Sequence, residues 1–150
     1  MNNITNKSYG KRTDKSMKTI VRLERAGLKI HNMTVNYLIK HNLTFNQFKV
    51  LEVLYHRGDL NVSSITKLTM STPGNITVVI KNLKRDEWIT SIKDPNDSRS
   101  SILTITKKGI NIIEEVFPQH AKNLHKAFEV LTDNELDTLY DLLNKVYKAN

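Results

Sequence analysis

Residues 71–84 read Ser-Thr-Pro-Gly-Asn-Ile-Thr-Val-Val-Ile-Lys-Asn-Leu-Lys, and this stretch constrains the chain more than any other. Ser71 or Thr72 offers the hydroxyl that caps a helix start, and Pro73 suits the first helical position, where a missing N–H costs nothing. Ile76, Val79, Ile80 and Leu83 then recur at helical spacing and form one apolar stripe. Gly74, Asn75, Thr77, Lys81 and Lys84 fill the remaining surface with small, hydrogen-bonding or cationic groups. The many β-branched residues are mediocre helix formers, so the segment needs a scaffold to hold it. Such a helix has one face to bury and one to present.

The flanking residues supply a frame. Ser63 or Ser64 is positioned to cap a short helix running through Ile65 and Leu68 to about Met70, and two helices joined by so tight a break form a helix-turn-helix. Asn61-Val62 offers one short extended pairing ahead of it. Beyond about Arg85, Trp88 to Lys93 alternates, with Trp88, Ile89 and Ile92 apolar. Asp94-Pro95-Asn96-Asp97-Ser98 is turn chemistry. Ser101 to Thr106 alternates again on Ile102, Leu103 and Ile105. Two alternating runs about such a turn predict a β-hairpin. A hairpin directly after the second helix of a helix-turn-helix makes a winged helix-turn-helix, here about 44–106.

Helices enclose that segment. From about Asp14 to His41 the pattern is helical, with apolar residues on more than one face, as in a helix buried by several neighbours or shared with a second subunit. Residues 1–13 are polar, basic and expected to be loose. Thr44-Phe45-Asn46-Gln47 is a capping box, and Gly58 stands where that helix should stop. Thr106 caps a long helix that Pro118 should kink without ending; Ala121, Leu124, Phe128 and Leu131 continue its period. Thr132-Asp133-Asn134-Glu135 is a second capping box, and a last helix follows to about residue 148. The expected fold class is mainly α with a small β-hairpin, in one domain spanning 1–150, without internal repeat or linker.

Cysteine is absent, which excludes disulfides, Cys-ligated zinc and thiol redox sensing. No apolar run approaches the roughly 18 residues of a membrane span. The basic N-terminus lacks a following apolar core, so no secretory signal is expected and the chain reads as cytoplasmic. The net charge of +8 is unevenly spread. Residues 1–30 carry eight Lys/Arg against two Asp/Glu, residues 31–110 eleven against six, and residues 111–150 four against seven. A basic excess favours a polyanionic partner, nucleic acid before membrane, although a solubilising surface would look the same. His120 and His125 lie five apart rather than the four that sets two ligands on one helix face, so no metal or cofactor is expected. With no nucleophile motif, phosphate loop or carboxylate pair in a credible site, the chain is not expected to be an enzyme.

These residues together resemble the MarR family of transcriptional regulators, over about Lys15 to Tyr147. The resemblance is carried by Leu43-Thr44-Phe45-Asn46-Gln47-Phe48-Lys49-Val50-Leu51, Thr72-Pro73-Gly74-Asn75-Ile76-Thr77, Asp94-Pro95-Asn96-Asp97-Ser98-Arg99 and Thr106-Lys107-Lys108-Gly109, in that order. Gly74-Asn75-Ile76-Thr77-Val78-Val79 and Phe117-Pro118-Gln119-His120 further resemble the subgroup that responds to quinones and related electrophiles. The resemblance implies a homodimer built from the N- and C-terminal helices, about 14–41 and 107–148. Each subunit would present its winged helix-turn-helix to half of a palindromic operator in double-stranded DNA. Where the family often has Gly after the recognition helix this chain has Glu87, and where it often has a second wing Arg this chain has Ser98.

On that frame Thr72, Pro73, Gly74, Asn75 and Thr77 enter the major groove. Asparagine suits adenine, and a threonine methyl suits the thymine methyl. Arg99 is the candidate for minor-groove insertion, because a narrow groove attracts arginine. By resemblance, Asp97 orients Arg99 through a salt bridge, and Ser98 completes the wing tip. Ser63, Ser64, Lys67, Lys81 and Lys84 would contact phosphates, which position without specifying. Lys7, Lys11, Arg12 and Lys15 either add phosphate contacts or only solubilise. The bland alternatives are a capped surface helix and a solvated turn charge. The resemblance also implies a pocket for a small aromatic or electrophilic effector between the dimer helices and the winged segment. His31, Phe45, Phe48, Tyr55 and Phe117 are its candidates, each of which reads first as plain core. The function expected is a DNA-binding repressor released by ligand; the alternative is a helical protein-interaction module without DNA.

Overall fold

The computed structural model describes residues 7–97 and 99–149. Six helices and three short strands follow in the order α1 (Lys11–Ile39), α2 (Phe45–Arg57), β1 (Leu60–Asn61), α3 (Val62–Leu68), α4 (Pro73–Arg85), β2 (Ile89–Lys93), β3 (Ser101–Ile105), α5 (Lys107–Phe128) and α6 (Asp133–Ala149). The described chain divides into two compact units between Met33 and Thr34, and α1 runs from the first into the second.

The first unit is the N-terminal part of α1 and the residues leading into it. The helix begins earlier than its apolar pattern implies, so Lys11, Arg12 and Thr13 are helical rather than loose. The cause is Asp14, whose carboxylate accepts the Ser8 hydroxyl at 2.6 Å and the Tyr9 amide at 2.9 Å. These donors hold its carboxyl below the usual carboxylate range. Residues 7–10 stand outside any helix or strand, and residues 1–6 of the expected loose segment lie outside the described residues.

In the second unit the strands form one antiparallel sheet in the order β1-β3-β2. Ile89 faces Ile105, Ile92 faces Ile102, and Leu60 faces Leu103. The short pairing expected at Asn61-Val62 therefore occurs one residue earlier. Val62 already opens α3, and the cap of α3 is neither Ser63 nor Ser64. Asn61 accepts the Ser64 amide at 2.8 Å, because the extended backbone that pairs with β3 ends at Asn61 and leaves its side chain facing the new helix. The capping box at Thr44 and Gln47 is present in full. So is the box at Thr132 and Glu135. Helix α5 runs through Pro118 without interruption and stops at Phe128, short of Leu131.

The core of this unit gathers Leu38 from α1, Phe48, Leu51 and Leu54 from α2, Ile65 from α3, Ile76 and Leu83 from α4, Leu103 from β3, and Ile113 and Val116 from α5. The Tyr37 hydroxyl donates to the Val116 carbonyl at 3.0 Å, which ties the end of α1 to α5. Helix α6 buries none of its residues. No helix among the described residues is long and apolar enough to cross a membrane.

Three helices end on a non-glycine residue in the left-handed region: Asn42 after α1, Met70 after α3 and Glu87 after α4. At each, two backbone bonds close the same motif. Leu43 donates to Leu38 and Asn42 to Ile39; Ser71 to Thr66 and Met70 to Lys67; Trp88 to Leu83 and Glu87 to Lys84. The left-handed exit that follows α4 is thus made at Glu87 without a glycine, at a conformational cost.

Candidate nucleic-acid interface

Helix α4 divides as its sequence implies. Ile76, Val79, Ile80 and Leu83 are buried, while Thr72, Pro73, Gly74, Asn75, Thr77, Lys81 and Lys84 are all exposed. Thr72 is the cap, accepting the Asn75 amide at 3.3 Å, with Pro73 opening the first turn. The Thr77 hydroxyl donates to the Pro73 carbonyl at 2.8 Å. Val78 is also exposed, at 58%. At helical spacing it shares a line with Gly74, Lys81 and Arg85, opposite the buried stripe. Val78 is not among the residues expected to meet DNA, since a valine in a helix reads as core until the buried stripe is complete without it.

Helix α3 meets α4 across a surface groove lined by Val62, Ser63, Thr66, Lys67, Pro73, Ile76 and Thr77. The groove brings Ser63, Lys67, Pro73 and Thr77 together. Ser64 is half-buried, with its amide used by Asn61. The turn between the helices is braced from α2. Thr69 is buried, its hydroxyl donates to Ile65 at 2.8 Å, and it bonds the Ser71 hydroxyl at 2.9 Å. The Lys49 ammonium donates to the Thr69 carbonyl and lies 5.5 Å from the Phe45 ring centre. Burial pulls the Lys49 pKa down, against the pull of Glu52, whose own carboxyl is raised by burial. Lys49 therefore ties α2 to the turn between α3 and α4, a contact that sequence spacing alone does not reveal.

The wing tip is closed by backbone bonds from Asp94 to Ser100, from Ser100 to Asp97 and from Asp97 to Asp94, and by the Asp94 carboxylate accepting the Asn96 amide. Asp97 does reach Arg99, but through the backbone: its carboxylate accepts the Arg99 amide at 3.0 Å. The expected salt bridge is not among the ion pairs of the described residues. A two-residue separation in a turn sets the carboxylate over the amide, which leaves the guanidinium outside. Ser98 lies outside the described residues. At the end of α4, Arg85 pairs with Asp86 at 2.9 and 3.2 Å, and beyond it Lys108 pairs with Glu87 at 3.6 Å.

The pocket candidates separate. Phe48 is a core residue, 2% exposed, because α2 turns it inward among Leu51, Leu54 and α5. Phe117 is half-buried, Phe45 lies by Lys49, and Tyr55 is exposed, its hydroxyl 3.5 Å from Glu114. His31 is on α1 in the N-terminal unit, and the other four belong to the unit beyond it. Phe48 and Phe117 each pack against His120, at 4.9 and 6.1 Å between ring centres, with His56 4.8 Å from Phe117. His120 is buried, its Nδ1 has no hydrogen-bond partner among the described residues, and burial lowers its pKa. Among the described residues, no group of three or more His, Cys, Asp or Glu side chains could hold a metal ion.

Known proteins share this frame. A family model described as "MarR family" matches residues 43–101. The chain is 33% identical over 134 residues to the HTH-type transcriptional regulator MhqR of Bacillus subtilis (strain 168), covering 89% of this chain and 92% of that protein. Among solved structures it is similar to a mutant MarR from E. coli complexed with operator DNA, with a TM-score of 0.78 and 24% identity over 89% of this chain and 96% of that one. It is also similar to BpsR of Bordetella bronchiseptica, whose DNA binding is regulated by 6-hydroxynicotinic acid, with a TM-score of 0.77 and 26% identity over 85% and 91% of the two chains.

Proposed function

The chain belongs to the MarR family of DNA-binding transcriptional regulators, and on that premise we propose that it is a homodimeric repressor of a palindromic operator, released by a small aromatic ligand. The observation that carries the reading is the exposed face of α4 set beside a wing. Gly74, Asn75, Thr77 and Val78 read base edges in the major groove, and Ser63, Ser64, Lys67, Lys81 and Lys84 hold phosphates. Arg99, on a tip that Asp97 shapes, enters the minor groove.

Dimerisation is supported by the helical ends. Helix α6 exposes Leu136, Tyr140, Leu142, Leu143, Val146 and Tyr147, and α1 exposes Met17, Ile20, Val21 and Leu28. Apolar stripes of this size on two helices of one chain call for a partner. A two-fold dimer sets its recognition helices about 34 Å apart, one turn of DNA, so a rigid shift of a few ångströms removes one half-site. The effector reading draws support from the ring cluster of His56, Phe117 and His120, where the His120 Nδ1 has no partner among the described residues. BpsR, whose DNA binding is regulated by 6-hydroxynicotinic acid, is the precedent among similar structures. Without cysteine, any response to a quinone is non-covalent or uses another residue.

The test is selection of genomic DNA fragments by the purified protein, followed by sequencing. The expected result is enrichment of inverted repeats with half-sites about 10 base pairs apart. Sedimentation should give a dimer. A protein that enriches no sequence, at low salt as well as high, is a protein-interaction module instead.

A further inference from the structure

Helix α1 carries a second cationic surface. Lys11, Lys15, Lys18, Arg22, Arg25 and Lys29 follow one another at intervals of four, three, four, three and four residues. At 3.6 residues per turn this spacing keeps all six on one narrow face, over about 27 Å of helix axis at 1.5 Å per residue. All six are exposed, and no ion pair of the described residues uses them. The helix has only two acids between Lys11 and Lys29. Asp14 is occupied by Ser8 and Tyr9 and only senses the charge of Lys18, and Glu24 falls on the far side.

Like charges three and four residues apart destabilise a helix, and here they are stacked six deep without the interleaved Glu that ordinarily offsets them. A polyanion relieves that repulsion. We propose that this stripe of α1 binds the phosphate backbone of duplex DNA, adding a sequence-independent contact to the one made by α4 and the wing. The proposal rests on the DNA-binding reading above. A lipid surface fits less well, since the stretch from Lys11 to Ile30 has no aromatic residue to seat at a headgroup boundary. The exposed apolar residues Met17, Ile20, Val21, Leu23 and Leu28 occupy the rest of the helix circumference, away from the stripe, so a dimer can cover them and leave the cations free.

The variant to make is Lys18→Gln/Arg22→Gln/Arg25→Gln/Lys29→Gln, beside the charge-retaining Lys18→Arg/Arg22→Lys/Arg25→Lys/Lys29→Arg. Affinity for an operator duplex and for an unrelated duplex of the same length is measured as a function of salt. The neutral variant should weaken both equally. Its salt slope should fall by about 0.9 for each phosphate that is no longer neutralised, or about a hundredfold in affinity near 0.15 M salt for three such phosphates. The charge-retaining variant should match the wild type. Circular dichroism guards against unfolding of the helix.

Unchanged slopes in the neutral variant overturn the proposal, as does equal weakening by the charge-retaining one. A shift of the monomer–dimer equilibrium with an unchanged slope also overturns it, and assigns the stripe to Asp133, Asp137 and Asp141 on a second copy. Capture by phosphatidylserine vesicles with unchanged DNA binding gives it to a membrane. If instead the wild type shows no preference for any operator but the slope still falls, the stripe stands and the repressor reading fails.

Discussion

Gly109, in the first turn of α5, lies against the backbone carbonyl of Trp88, where the chain leaves the recognition helix for the wing. A Cβ on Gly109 would stand 2.3 Å from the Trp88 oxygen and 2.8 Å from the Ile105 side chain. Around the contact, the Thr106 amide donates to the same Trp88 carbonyl at 3.0 Å, and the Thr106 hydroxyl donates to Glu87 at 2.7 Å. Because the obstacle is backbone held on both sides, Gly109→Ala cannot be absorbed by a rotamer change. It should cost about 3 kcal/mol, read as a fall in Tm of roughly 10 °C in a chain of this size. A Tm within a degree or two of wild type would mean that α5 slides freely over Trp88.

The three left-handed helix exits predict the opposite sign. Glu87→Gly and Met70→Gly should each stabilise the protein by about 1 kcal/mol, since the side chain pays for a conformation that glycine adopts freely. Asn42→Gly should gain less, because asparagine tolerates that region better. Glu87→Gly also removes the exposed pair with Lys108, which is worth little at the surface. Urea unfolding of the three variants gives the ranking.

Local chemistry makes much of this legible beforehand. The boxes at Thr44–Gln47 and Thr132–Glu135 involve only neighbours, as do the cap at Thr72 and the hairpin turn at 94–98. What depends on distant partners is hidden. Asn61, Ser63 and Ser64 can each cap a helix, and only the pairing of Asn61 with Ile102 decides among them. Lys49 reads as a surface lysine until Thr69 arrives from α3. His120 reads as one of five histidines until Phe48 packs against it from α2. The apolar pattern of α1 holds no start signal before Asp14, because its N-terminal turn is set by Ser8 and Tyr9, outside the repeat.

His120 gives the chain a pH dependence whose sign is fixed. Its pKa is lowered in the folded state by burial, with Phe48 and Phe117 against its ring and no partner at Nδ1. A depressed pKa means that the unfolded chain takes up the proton first. The contribution is therefore complete above the ordinary histidine value near 6.5 and is lost as pH falls through the folded value. Glu52, raised by burial, works the other way, contributing most below the ordinary glutamate value and losing it as pH rises. His120→Phe should flatten the loss of Tm between about pH 7 and 5 while leaving the Glu52 component. An unaltered slope would place the acid sensitivity elsewhere.

The base-reading assignment is tested by three side chains with different duties. Val78 is exposed on the line of α4 farthest from its buried stripe, so Val78→Ala should leave folding intact and cost about 1 kcal/mol against one base pair, the effect expected of a methyl group packed on thymine. Asn75→Ala should cost about 1–3 kcal/mol and relax the preference at its own position. Arg99→Ala should weaken binding most where the minor groove is narrow. Asn75→Ala and Arg99→Ala act at different grooves, so their costs should add and together abolish operator binding at physiological salt. Competition binding against single-base operator variants separates these outcomes. Unchanged affinity in the double variant would remove the recognition surface from α4 and the wing and leave the cations of α1 and α3 as the only DNA contacts.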